Sequence, residues 1–250
     1  MTRYISTLCA ALLALSGVSL AQADTILGIY ASADYWQYDG KADVAQTNKN
    51  KSNFVFDQKN QASLSLSIEH PVPIVPNIRL RHTALQGNDT KKVASFEFAN
   101  FVFSQDVNLD IDLTSTDMVL YYEVLDNVVS ADIGIAAKLI DGDIVAKEVN
   151  GLNKKTVSIK ETIPMAYVSA QAKLPLTGLS VKADVTGVSY NGSSLSDVQA
   201  EIMYNFVDNV AIDIGIKAGY RQISATLEDV ESTDADIEFK GPYLGLEMHF

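Results

Sequence analysis

The residues of this 250-residue chain that could do chemistry are charged side chains set at every second position of otherwise small or apolar segments. They are Glu69, Arg79, Arg81, Asp117, Glu123, Asp132, Lys138, Lys173, Lys182, Asp184, Glu201, Asp213, Lys217 and Arg221. Three chemistries are open to such a set. Carboxylates and bases enclosed in a water-poor space shift one another's proton affinity and could work as acid and base. Lining an open path, the same groups would select ions. Paired with each other, they would fill the space as an ionic and hydrogen-bonded plug. Neighbouring segments suggest partners for the last case: Arg79 and Arg81 beside Glu69, and Lys217 and Arg221 near Glu201.

The histidines weigh against catalysis. His70 sits in a proline-rich turn and His249 next to the last residue, so both are read as turn or interfacial residues. His82 has the parity of the apolar positions, opposite to Arg79 and Arg81, where a general base would have no access to an aqueous substrate. A surface hydrolase is the least favoured reading.

The elements that must position these groups are strands. Apolar residues recur at every second position in bursts of ten to twelve, the period of a strand with two unlike faces. TILGIYASADYW sets Leu27, Ile29, Ala31, Ala33 and Tyr35 against Gly28, Tyr30, Ser32, Asp34 and Trp36, and QASLSLSIEH sets Ala62, Leu64, Leu66 and Ile68 against three serines and Glu69. Ten such bursts follow one another, at 25–36, 61–70, 77–84, 116–125, 128–139, 164–174, 179–189, 195–206, 210–221 and 240–250. Short connections rich in Pro, Gly, Asp or Asn (HPVPIVPN, LDN, LPLTG, VDN) alternate with mostly long polar ones at 37–60, 85–115, 140–163 and 222–239. An even number of antiparallel strands with short turns at one end and long loops at the other is the pattern of an outer-membrane barrel. A bilayer leaves no water for unpaired backbone groups, so only a helix or a closed sheet can cross it.

A soluble β-barrel has the same period with its apolar face inward. Three features favour the membrane. The polar face carries mid-strand charges of both signs and the apolar face essentially none. Aromatics on the apolar face gather near strand ends: Tyr35 and Tyr220 toward the long loops, and Tyr122, Tyr204, Phe206 and Phe250 toward the short turns. The chain closes with Leu246, Met248 and Phe250 on one face, the form of an assembly signal read by the barrel assembly machinery.

A formal charge of −12 gives none of the basic footprint that nucleic-acid binding needs, so no nucleic-acid partner is expected. Past the first twenty-odd residues no apolar run reaches the ~18 residues of a spanning helix. Arg3, the apolar stretch 5–20 and Ala21-Gln22-Ala23 read as a signal peptide, 1–23, removed before Asp24 together with Cys9, the single cysteine. Acidic clusters lie in the long connections: Asp106, Asp110 and Asp112, then Asp141 and Asp143, then Glu228, Asp229, Glu231, Asp234, Asp236 and Glu238. They could take Ca²⁺ or share divalent cations with lipopolysaccharide phosphates, but their spacing is that of a solvated surface rather than a calcium loop. The segment VASFEFANFVFS, with Phe96, Phe98, Phe101 and Phe103, is expected to extend the barrel wall as a hairpin whose aromatics cap the mouth or meet a partner.

GIYASADYWQYDG, EHPVPIVPNIRLRHT, STDMVLYYEVLDNVVSADIGIAAKLIDG and the closing GPYLGLEMHF together resemble a family of Gram-negative outer-membrane β-barrel proteins named for its occurrence in genomes with a GlyGly C-terminal sorting system. The resemblance implies a fold and a location, and no activity, cofactor or site residue. The expectation is a single transmembrane antiparallel barrel over 24–250 in the bacterial outer membrane. Short periplasmic turns, long extracellular loops and a charge-filled lumen complete it. Its function would be structural or surface-contact rather than enzymatic, with a narrow porin-like diffusion pore as the alternative. The expected partners are outer-membrane lipid, lipopolysaccharide and the assembly machinery, with no metal or cofactor.

Overall fold

In the computed structural model, which describes residues 27–46, 51–92, 96–98, 101–209, 212–230 and 233–250, every regular element is a strand. The expected signal peptide lies outside these residues. The strands are β1 (Gly28–Gln46), β2 (Ser52–Glu69), β3 (Asn77–Lys91), β4 (Phe96–Phe98), β5 (Phe101–Phe103), β6 (Val107–Leu125), β7 (Val129–Glu148), β8 (Lys154–Leu174), β9 (Leu179–Tyr190), β10 (Ser193–Asp208), β11 (Asp213–Val230) and β12 (Thr233–His249). All but β4 and β5 form one closed antiparallel barrel of ten strands in chain order, sealed where β1 meets β12 from Tyr30↔His249 to Gln46↔Thr233.

The stretches 37–60, 85–115, 140–163 and 222–239, expected as long polar loops, are instead mostly strand, and the β7–β8 connection shrinks to 149–153. β6 shows why. In its second half Ser115, Asp117 and Val119 point inward while Met118 and Tyr122 are exposed outward. In its first half the inward set is Val107, Leu109 and Ile111, and the outward set includes Asp110 and Asp112. Alternation never stops along the strand, but its phase inverts. Near the short turns the wall is apolar outside and polar inside, whereas toward the far end it is polar outside and apolar inside. β1 switches between Asp34 and Trp36, and β11 between Arg221 and Ile223. The two halves of such a strand have unlike surroundings, so no single face keeps one continuous apolar stripe along its whole length.

The far half of the wall also parts into two sheets. The β2–β3 ladder stops at Ser63↔Thr83, although both strands continue. The β8–β9 ladder stops at Ala166↔Gly187, because β9 and β10 join early through the two-residue turn Asn191-Gly192, with φ of 49° and 80°. Positive φ at both positions is the hairpin turn that Asn-Gly favours. Beyond these points β8-β7-β6-β3 and β2-β1-β12-β11 face each other across an apolar core. At the β2–β3 seam a side chain replaces the missing ladder: the Tyr38 hydroxyl accepts from Gln86 N at 2.8 Å and donates to Gln86 O at 3.2 Å. The Phe56 ring fits beside it because a Cβ on Gly87 would lie 2.7 Å from that ring.

Candidate functional site

The interior is built in layers along the barrel axis. At the short-turn end a cavity of about 220 Å³ is lined by groups that include Glu69, Glu123, Asp132, Lys173, Lys182 and Asp213. Tyr121 donates its hydroxyl to Glu69 at 2.7 Å, and Asn77 reaches Glu123 at 3.4 Å. His249 stacks on Tyr30 with ring centroids 4.1 Å apart and meets Asp213 at 3.3 Å.

The roof of this cavity, which Arg79, Arg81, Asp184, Glu201 and Lys217 also line, is a layer of ion pairs. Arg79 contacts Asp184 at 3.0 Å, with Arg81 at 4.0 Å from the same carboxylate. Tyr167 and Gln199 also donate to Asp184, each at 3.1 Å. Lys138 lies between Asp117 at 2.6 Å and Asp197 at 3.3 Å. Arg221 grips Asp197 with two nitrogens at 2.9 and 2.7 Å and reaches Thr83 at 3.0 Å. Lys217 sits among Asp34 at 3.1 Å and Glu201 and Glu247, both at 3.6 Å. Glu201 also accepts the hydroxyl of Tyr243. A buried charge is tolerable only when its partner and its hydrogen bonds are supplied, and here the inward groups supply most of them to each other, Arg79 Nε being left without one.

The geometry corrects the partners suggested by neighbouring strands. Arg79 and Arg81 turn away from Glu69 to Asp184 on β9, across the lumen, and Arg221 takes Asp197 rather than Glu201. A barrel this narrow brings opposite walls within reach of an arginine, a proximity that strand parity does not encode. Lys217 does meet Glu201. Asp34, Asp197, Glu247 and the tyrosines 121, 167 and 243 were not among the sequence-derived candidates. Parity alone would have pointed to Asp197, two residues before Gln199 and four before Glu201 on the same face.

Trp36 joins this layer to the next. It is 1% exposed, donates its indole N–H to Gly241 O at 3.1 Å, and carries the Arg221 guanidinium 5.1 Å from its ring centroid. Beyond it the interior becomes a hydrophobic core of Tyr38, Phe54, Phe56, Leu109, Ile111 and Phe239. The hairpin β4–β5 belongs to this core. Instead of extending the wall it forms its own two-stranded sheet, with Phe96 5.3 Å from Phe54 and 6.1 Å from Phe103 between ring centroids. Its aromatic rings gain more by burial between the two sheets than by standing in water. The segment's aromatics do cap the mouth.

The remaining candidates lie on the surface. His82 is exposed on the outward face, its Nδ1 3.0 Å from Thr116 Oγ1. Leu246, Met248 and Phe250 point outward at the closing seam. Glu231 lies outside the described residues; Asp110, Asp112, Asp141, Asp143, Asp236 and Glu238 stand on the outer wall of the far half, where Asp112 faces Asp143 directly across β6–β7 and Ser158 donates to Asp143 at 2.6 Å. Lys51 bonds Asp236 and holds its carboxyl below the usual aspartate range.

No protein-family model matches the chain, and no curated relative does. Among solved structures, the outer membrane protease OmpT of Escherichia coli is similar at a TM-score of 0.56 with 10% identity, covering 89% of this chain and 97% of that one. The translocator domain of the autotransporter NalP from Neisseria meningitidis gives 0.43 with 12% identity over 98% and 95% of the two chains. Neisserial surface protein A gives 0.33 with 11% identity over 88% and 95%. The fold is that of the bacterial outer-membrane β-barrels, here with ten strands.

Proposed function

We propose that this chain is an integral outer-membrane protein, non-conducting and non-enzymatic, whose barrel serves as a scaffold for the two-sheet extension that it holds outside the cell. The outward belt of Leu66, Leu80, Met118, Ile133, Val168 and Ile216 would face lipid, with the short turns in the periplasm. One observation carries the reading: the interior is closed twice in series, by the ion-pair layer and by the aromatic core with its inserted hairpin. Charges that serve as selectivity elements must line a wet path, whereas these are spent on one another. The barrel machinery and lipopolysaccharide are the partners this placement implies.

Single-channel recording of the protein in planar bilayers tests the closed interior. Silence is the expected result; steady, ion-selective conductance would replace the scaffold with the narrow pore, its gate then being the hairpin. Placement is tested on intact cells with a membrane-impermeant thiol reagent. Leu152→Cys at the β7–β8 tip, a position 102% exposed, should label, and Asn127→Cys in the β6–β7 turn should not.

A further inference from the structure

Two of the short turns carry an exposed aliphatic residue in the left-handed backbone region. Ile74, between β2 and β3, has φ of 75° and is 87% exposed; Leu176, between β8 and β9, has φ of 65° and is 107% exposed. A β-branched residue with positive φ is an outlier that persists only where its surroundings impose it. If these positions were plain turns, glycine or asparagine would fill them at lower cost.

The first turn shows what imposes the conformation. Tyr122, on the outward wall of β6, donates its hydroxyl to Ile74 O at 2.6 Å and so ties the turn to the outward side of the rim. Pro71, Pro73 and Pro76 remove three backbone donors. His70 satisfies others: its backbone N–H bonds Asn77 Oδ1 at 3.0 Å, its Nδ1 accepts from Val72 N at 3.3 Å, and its Nε2 meets Pro76 O at 3.2 Å. Val72 and Val75 stand exposed beside Ile74. The second turn closes its own polar groups as well, Thr177 Oγ1 donating to Leu174 O at 2.7 Å and accepting from Leu179 N at 3.1 Å. Each is an apolar tip with its backbone partly satisfied from within, continuous with the apolar belt of the wall. The β6–β7 turn instead presents Asp126 and Asn127 beside Val128, with none of its residues at positive φ.

We propose that the 71–76 and 175–177 turns are lipid anchors, with Ile74 and Leu176 inserted at the headgroup–acyl boundary of the periplasmic leaflet, and that Tyr122 positions the first. This rests on the membrane placement proposed above. The two anchors stand four strands apart on a ten-strand rim, so together they fix both the depth and the tilt of the barrel.

The test uses protein purified from the outer membrane with Cys9→Ser, single cysteines at 74, 176, 127 and 66 labelled with an environment-sensitive fluorophore, and phosphatidylcholine vesicles containing spin-labelled lipid. Position 66, midway along the outward face of β2, reports the membrane placement itself. Probes at 74 and 176 should be blue-shifted and lose emission to lipid spin-labelled near the headgroup, while the probe at 127 answers only to aqueous quencher. Tyr122→Phe should abolish lipid quenching at 74 and leave it intact at 176. Quenching at 66 with none at 74 and 176 overturns the anchors alone, and absence of quenching at all of these positions overturns the membrane placement. Positions 74 and 176 shielded from aqueous quencher in native membranes, yet untouched by lipid spin labels, would assign the turns to a protein partner and overturn the proposal.

Discussion

Asp197→Asn is the most informative perturbation of the ion-pair layer. Its carboxylate is buried, gripped by two Arg221 nitrogens at 2.9 and 2.7 Å and approached by Lys138 at 3.3 Å. Asparagine keeps the shape and one acceptor but removes the charge. Lys138 retains Asp117 at 2.6 Å, whereas Arg221 is left with Thr83 and the Trp36 ring, neither of them anionic. Breaking a buried pair from one side costs about 3–5 kcal/mol because the surviving charge stays desolvated. The remaining acceptor favours the lower end, about 3 kcal/mol. At an m-value of about 3 kcal/mol per molar urea the unfolding midpoint should fall by about 1 M. The assay is urea unfolding in lipid vesicles, followed by Trp36 fluorescence. The double variant Asp197→Asn with Arg221→Gln removes the orphaned charge and should recover at least half of the loss. The single variant should still be electrically silent, since the aromatic layer closes the barrel independently. A loss below about 0.5 kcal/mol, or strictly additive single and double variants, would mean that water reaches the layer and screens it, refuting the plug.

Further outcomes follow from the same structure. Tyr38→Phe leaves Gln86 N and O at the seam without their partner and should cost about 1–3 kcal/mol, with faster amide exchange at Gln86 as the direct readout. Gly87→Ala would press a methyl group against the Phe56 ring and should destabilise the barrel by about 1–3 kcal/mol in the same urea assay. Since Lys51 lowers the folded Asp236 pKa, the pair's contribution is complete above the ordinary aspartate range near pH ~4 and is lost as pH falls through the lowered value. Lys51→Met should therefore move the Asp236 carboxyl titration, followed by NMR, back up toward that range.

The sequence by itself determined the number and order of the barrel strands, because a wall with unlike faces must alternate and a chain reversing at its rim must use Pro, Gly, Asp or Asn. It also determined which side of each inner strand segment is polar: Arg79, Arg81, Asp184, Lys217 and Arg221 all point inward as their parity requires. Three things were decided only by the tertiary structure. The partner of each lumen charge depends on curvature, which brings β3 opposite β9, and no local pattern encodes a distance across a closed ring. The strand extensions hid because the outer wall changes along each strand from apolar to polar, inverting the phase that a single stripe would keep; the alternation in VNLDIDLT before STDMVLYY was the available signal. The aromatic hairpin turned inward because the burial that its rings require exists only once the two outer sheets have come together around it.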